Sequence, residues 1–257
     1  YAAGPMKKID YSQSSIVPEE NRFDIEVLEE DLNEPMELEV LPNGNVIFIQ
    51  RHGEVMYYDR STKKTNLIHK FEVFTDFEDG LLGLALDPKV EENKRIYFFR
   101  SHPIDSLQII SRFKMNDDYS SFHVDSEQIL LTIPTQRLEC CHAAGSLEFG
   151  PDQMLYIAVG DNTNPFESDG YAPIDDRLGR SPWDARKSSA NTDDLRGKIL
   201  RIKVENEGYS IPEGNLFPED GSEGRPEIYV MGCRNPYRLA FDNHRGYLLS
   251  LIHISEP

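Results

Sequence analysis

An all-β protein assembled from repeated antiparallel modules is the fold this sequence predicts. Three observations carry the prediction. A strand, tight polar turn and second strand recur four times along the 257 residues. The runs between the copies are short and rich in β-branched and aromatic residues. No stretch has the apolar spacing of an amphipathic helix of ordinary length.

The first copy runs from Met36 to Ile49 and turns at Pro42-Asn43-Gly44-Asn45. The second is Gly83 to Pro88, followed after a short insert by Arg95 to Phe99. The third is Gly145 to Ala158, turning at Gly150-Pro151-Asp152-Gln153. The fourth is Tyr237 to Asp242, then Gly246-Tyr247-Leu248. The first strand of a copy is read as alternating apolar and polar, and the turn carries the residue types that special backbone angles require. Between copies lie Glu54–Tyr58, Gln108–Phe113, Gln128–Ile133 and Lys198–Ile202, each strand-like. Modules of about 40–60 residues repeated in this way read as blades of a β-propeller. A β-sandwich with irregular hairpins is the alternative.

The chain between Asn164 and Asp194 breaks the repeat. It is rich in Asp, Ser, Pro and Gly and is predicted as a long loop, a class usually functional or unstructured. Residues 1–21 are polar and read as a linker from a preceding segment. The chain opens on Tyr1, so the lack of a signal peptide carries no information. The final run, 249–257, resembles the in-frame translation of a sequencing-library adapter and is set aside, with a strand and turn as the alternative. The propeller domain is then expected over 22–248, covering about four blades, with more chain beyond it. An open ring of this kind has an incomplete site, so this chain alone is expected to be inactive.

Composition narrows the function. The net charge of −18 argues against nucleic acid, which needs a basic footprint. No run approaches the roughly 18 apolar residues of a membrane span. The three cysteines, Cys140, Cys141 and Cys233, are too few and badly spaced for a zinc site or a disulfide framework. Cys140 and Cys141 are neighbours, and either a vicinal disulfide or two packed thiols fits them.

The densest chemical signal lies around the third copy. His142 enters its first strand and Asp161 leaves its second, so an antiparallel hairpin sets the two side by side. A histidine held by a carboxylate is fixed in one tautomer and made more basic, as a general base requires. A lone histidine at a strand end is more often structural, and spacing alone does not separate the two readings. Asp161, Asp169, Asp175, Asp176 and Asp184 give the loop enough oxygens for calcium, but without EF-hand spacing; a solvated acidic lid is the preferred reading. Trp183, the only tryptophan, either stacks on a ligand or packs the loop down.

Four segments together resemble the soluble quinoprotein glucose/sorbosone dehydrogenase family. They are His142 to Asp152 with the following Leu155-Tyr156-Ile157 and Gly160-Asp161-Asn162; Glu78 to Ala85 with Asp87-Pro88; Leu195 to Ile202; and Gly232 to Asp242. The likeness covers Arg22 to Leu248. It implies a six-bladed propeller that oxidises an aldose or related sugar, with pyrroloquinoline quinone and calcium as cofactors and a separate electron acceptor such as a cytochrome. It implies that His142 is the base, Asp161 its orienting carboxylate, and Arg234 and Asn235 the quinone contacts, with Arg234 stabilising charge that develops on the quinone. Glu78 falls where a sugar hydroxyl would be bound. The bland readings are an ion-pair partner for Arg234, a turn for Asn235-Pro236 and a solvated rim carboxylate for Glu78. The calcium ligands are expected beyond Leu248, and the location outside the cytoplasm. Two other functions compete: a non-catalytic propeller that binds a glycan or protein, and a calcium-dependent propeller hydrolase or lactonase, which needs carboxylates converging on the central channel.

Overall fold

The computed structural model describes residues 24–242 and 244–252. The chain divides into one unit up to Glu30 and a second from Asp31 onward. The described residues of the first, 24–30, form neither helix nor strand. The linker expected over 1–21 lies outside the described residues. The second unit is nearly all β, as the repeats require.

Four antiparallel sheets follow one another. The first orders β1 (Pro35–Val40), β2 (Val46–Gln50), β3 (Glu54–Asp59) and β4 (Lys64–Lys70) in sequence. The second does the same with β5 (Leu81–Leu86), β6 (Arg95–Ser101), β7 (Leu107–Met115) and β8 (Phe122–Pro134). The third has β9 (Ala144–Phe149), β10 (Leu155–Val159) and β11 (Lys198–Val204), whose outer edge pairs with both β12 (Tyr209–Ser210) and β13 (Ile228–Met231). The fourth holds β14 (Pro236–Asp242) and β15 (Tyr247–Ile252). Each sequence copy forms the first two strands of one sheet. The one α-helical turn among the described residues is α1, Val90–Asn93, in the insert of the second copy. The run set aside at the end enters β15: Leu249 pairs with Ala240 and Ser250 with Leu239. Its apolar residues supply a strand pattern whatever their origin, and residues 253–257 lie outside the described residues.

The sheets pack face to face through their first strands, β1 on β5, β5 on β9 and β9 on β14. This is a propeller-like arrangement, and it explains where the expected alternation fails. β5 reads Leu-Leu-Gly-Leu-Ala-Leu, because a sheet between two neighbours is buried on both faces. Its Leu81 and Leu84 join Ile47, Ile49 and Val55 of the first sheet. Its Leu82 and Ala85 join Leu147 and Ile157 of the third. A third cluster, with Tyr156, Ile199 and Leu239, ties the third sheet to the fourth. At roughly 1.5–3 kcal/mol for each fully buried large apolar side chain, these interfaces are the main stabilising term. Gly83 is needed where they close: a Cβ there would lie 2.1 Å from the carbonyl oxygen of Gly145. Among the first strands of the four copies, β1 keeps its alternation, with Glu37 and Glu39 turned inward. Its Leu38 and Val40 are 61% and 63% exposed.

The innermost strands also meet through polar ties. Glu37 of β1 accepts the backbone N–H of Leu84 at 2.7 Å and the Ser146 hydroxyl at 2.8 Å, and Arg238 Nε lies 3.9 Å away. Glu39 accepts the N–H of Leu86 at 3.3 Å. Ser146 Oγ in turn accepts the N–H of Leu239 at 3.2 Å. An innermost strand has one edge without a sheet partner, and these side chains satisfy its N–H groups. Burial pushes Glu37 and Glu39 up to about 7 and raises Glu148. Carboxylates therefore do converge among the inner strands, as the lactonase reading requires, but Glu37 and Glu39 are committed to ties between sheets.

Candidate active site

The β9–β10 hairpin sets His142 and Asp161 side by side, 2.7 Å apart from Nδ1 to Oδ1. Both are buried, at 4% and 2% exposure. His142 sits in the left-handed region at φ +60, a conformation that non-glycine residues adopt sparingly. Its carbonyl oxygen accepts the N–H of Asn162 at 3.2 Å. Gly160 makes this closeness possible: a Cβ there would stand 1.8 Å from the His142 carbonyl oxygen and 3.1 Å from Asn235 Oδ1. Asp161 is fixed by Thr163, whose N–H and hydroxyl both donate to Oδ1, at 2.9 and 2.7 Å. Sequence reasoning overlooked Thr163, although a threonine two residues after a turn aspartate is a recurrent pattern of local capping.

Three loop ends are stitched beneath the pair. Gly197 N–H donates to Gly160 oxygen at 2.8 Å, Cys233 N–H to Gly197 oxygen at 3.0 Å, and Asp161 N–H to Arg234 oxygen at 2.8 Å. The segment before β14 is thereby carried to the mouth of the β9–β10 hairpin, so residues far apart in sequence share one opening. Lys198 anchors the same floor. It is fully buried, and its Nζ donates to the carbonyls of Ser188, Ser189 and Arg196 at 2.8, 3.0 and 2.8 Å. Burial lowers it to about 8, yet three acceptors match the three N–H bonds of an ammonium, and only the protonated form satisfies them all.

A cavity of about 210 Å³ opens at this mouth, lined by Glu78, Cys141, His142, Pro165, Phe166, Arg234 and Asn235. Of the five residues singled out by sequence, four line it, and Asp161 stands behind His142. Asn235 is 1% exposed, and its Oδ1 has no hydrogen-bond partner among the described residues. The Arg234 guanidinium has no carboxylate partner among the described residues, so the ion-pair reading of it is not what the structure contains. Glu78 is half-buried, and its Oε2 accepts the N–H of Ala143 at 3.0 Å. Its neighbour Asp79 turns inward to the Ser101 hydroxyl at 2.5 Å and anchors the turn. Cys140 and Cys141 are joined by a disulfide across a cis peptide bond. Pro165 and Phe166 escaped sequence reasoning; Phe166 is 62% exposed at the rim, and nothing in its local pattern marks it.

The long loop differs from the expected solvated lid. Asp175 is buried between Arg177 at 2.8 Å and Arg180 at 3.2 Å, which hold its carboxyl well below the usual range. Asp184 is buried against Arg186 at 2.8 Å. Trp183 is buried, donates Nε1–H to the Phe166 oxygen at 2.6 Å and carries Arg180 over its ring. Trp183 therefore packs the loop down and holds Phe166 at the rim. Among the described residues no group of three or more His, Cys, Asp or Glu is arranged to hold a metal ion, and no helix is long and apolar enough to cross a membrane.

The Glucose / Sorbosone dehydrogenase family model matches residues 32–253. The chain belongs to this family. A solved structure from Thermus thermophilus, described as an oxidoreductase (glucose dehydrogenase), is 28% identical with a TM-score of 0.69, over 88% of this chain and 60% of that one. Quinoprotein glucose dehydrogenase B of Acinetobacter calcoaceticus is 25% identical over 90% of this chain and 48% of its own length. Human Hedgehog-interacting protein is 28% identical over 65% of this chain and 23% of its own length. The chain thus spans about half or less of these curated relatives.

Proposed function

We propose that this chain carries the catalytic mouth of a quinone-dependent dehydrogenase that oxidises an aldose or related sugar. One observation carries the reading: a His–Asp pair, an arginine without a carboxylate partner among the described residues and a buried amide oxygen without a donor among them face one small cavity. Burying unsatisfied groups is costly unless a ligand completes them.

With Nδ1–H donated to Asp161, His142 keeps a lone pair on Nε2 and takes the proton of a sugar hydroxyl. Asp161 holds the tautomer and stabilises the imidazolium that forms. Glu78 orients the sugar by accepting a hydrogen bond from a second hydroxyl, and Phe166 offers an apolar face to the ring. Pyrroloquinoline quinone, when bound, supplies the hydride acceptor. Arg234 and Asn235 fit that group as a free cation and an open amide at the same mouth, and would hold it. The full ring is read as six blades; the exposed Leu38 and Val40 mark a face that a further blade would cover. A separate electron acceptor and a place outside the cytoplasm complete the proposal, and the Cys140–Cys141 disulfide suits an oxidising compartment.

Titrating the full-length apoprotein with the quinone, then adding aldose and a dye acceptor, tests this reading. Saturable binding followed by dye reduction is expected. Quinone binding without turnover of any aldose would overturn it. No binding at all would favour a second reading, a propeller that binds a protein partner, for which the likeness to Hedgehog-interacting protein speaks.

A further inference from the structure

The wall beside the base contains a covalent bond that no step above uses. Cys140 and Cys141 are joined by a disulfide, and Cys141 lines the cavity with His142. Residues 139–143 run between β8 and β9 without sheet pairing. Both ends of this strap are tied by side chains. The Glu139 carbonyl accepts Gln136 Nε2–H at 3.0 Å and its carboxylate accepts Asn164 Nδ2–H at 2.9 Å. Ala143 N–H donates to Glu78 at 3.0 Å. Cys141 has no hydrogen bond among the described residues, so its bond to Cys140 is what fixes the residue that precedes the base. Both cysteines are half-buried, within reach of a small reductant.

We infer that the Cys140–Cys141 disulfide is a positioning element for His142, and that its reduction releases the base from its working geometry. The inference rests on the reading of His142 as base. In the reduction a dithiol delivers two electrons and two protons to the Sγ–Sγ bond; that bond breaks, two thiols form, and the reductant closes into its own disulfide. The small ring that ties the two adjacent side chains opens, and the strap regains rotational freedom immediately before a residue in the left-handed region. The reduced state has somewhere to go: Asn164 Oδ1 lies 4.0 Å from Cys140 Sγ, placed to accept a thiol proton. The rest of the strap keeps its ties to Gln136, Asn164 and Glu78, so the fold survives, while the imidazole is left with only its own bonds to Asp161 and, through its carbonyl, to Asn162 to hold its register. Displacement of a base by about 1 Å is enough to cost up to about a hundredfold in rate.

The test compares the full-length protein before and after dithiol treatment, with Cys140 and Cys141 mapped by peptide analysis, alongside a Cys140→Ser/Cys141→Ser double variant. Reduction is expected to lower kcat about tenfold or more while KM stays within about twofold. Reoxidation with oxidised glutathione restores the rate, and the double variant does not respond to dithiol. The decisive readout needs neither quinone nor sugar: the hydrogen-bonded Nδ1 proton of His142, followed by NMR, shifts or broadens on reduction while the unfolding temperature stays close to that of the oxidised protein. Should the double variant not fold, the reduced wild type decides alone. Mapped reduction that leaves the His142 resonance and kcat unchanged overturns the inference. An oxidised protein that turns over no sugar would instead sink the functional reading, with the resonance still deciding this one.

Discussion

Two polar regions of this molecule lie within a few strands of each other and are built on opposite principles. Among the inner strands, Glu37, Glu39 and Ser146 have their oxygens committed to N–H groups of the next sheet. At the mouth, Asn235 Oδ1 is buried without a donor, and Arg234 has no carboxylate among the described residues. Saturated groups tie sheets together, whereas open ones beside a cavity are what a ligand site at the mouth requires. Counting carboxylates would have picked the first region as the site; of these two regions, it is the second that faces a cavity with an open buried amide.

Substitutions can break this contrast. Arg234→Ala should lower sugar turnover of the quinone-loaded full-length protein by about 10²–10³-fold, the usual cost of removing one preorganised charge donor. Its thermal stability should move little, since no ion pair is lost; a large drop in unfolding temperature would place Arg234 among the structural ties. Glu37→Ala should do the reverse. Leaving the Leu84 N–H and Ser146 hydroxyl without their acceptor is expected to cost about 1–3 kcal/mol in denaturant unfolding, with quinone affinity retained.

The pH dependence sharpens the same point. Glu37 is held near 7 against an ordinary 4.5. Between those values the unfolded chain loses its proton while the folded one keeps it, so stability is fully present below about 4.5 and falls as pH rises through 7. Glu37→Gln cannot titrate and should flatten that fall in a series of melts across the window; an unchanged slope would mean that the carboxylate is not kept neutral by burial. The smallest effect is expected at the rim. Phe166→Ala should raise KM for the sugar several-fold, about 1 kcal/mol of lost ring contact, with kcat nearly unchanged in steady-state assays.

Much of this was legible in the sequence because it is local. The four strand–turn–strand copies carry their own periodicity, and the hairpin from Ala144 to Val159 brings His142 to Asp161 by backbone geometry alone. The motif around Arg234 marked its importance but not its neighbours; the stitching through Gly160, Gly197 and Cys233 is long-range and leaves no spacing signal. Phe166 was invisible because its place depends on Trp183 and on the internal ion pairs of the loop, which composition alone made look solvated. β12 and β13 were missed because each is short and pairs with an edge already set by β11.

The histidine is the point on which the account stands. Single-turnover sugar oxidation by quinone-loaded full-length protein should be compared between wild type and His142→Ala, with quinone occupancy matched by titration. The variant is expected to bind the quinone as the wild type does and to oxidise sugar about 10²–10⁴-fold more slowly. Equal rates at equal occupancy would show that the imidazole facing this cavity takes no proton, and the mouth would have to be read as a binding surface.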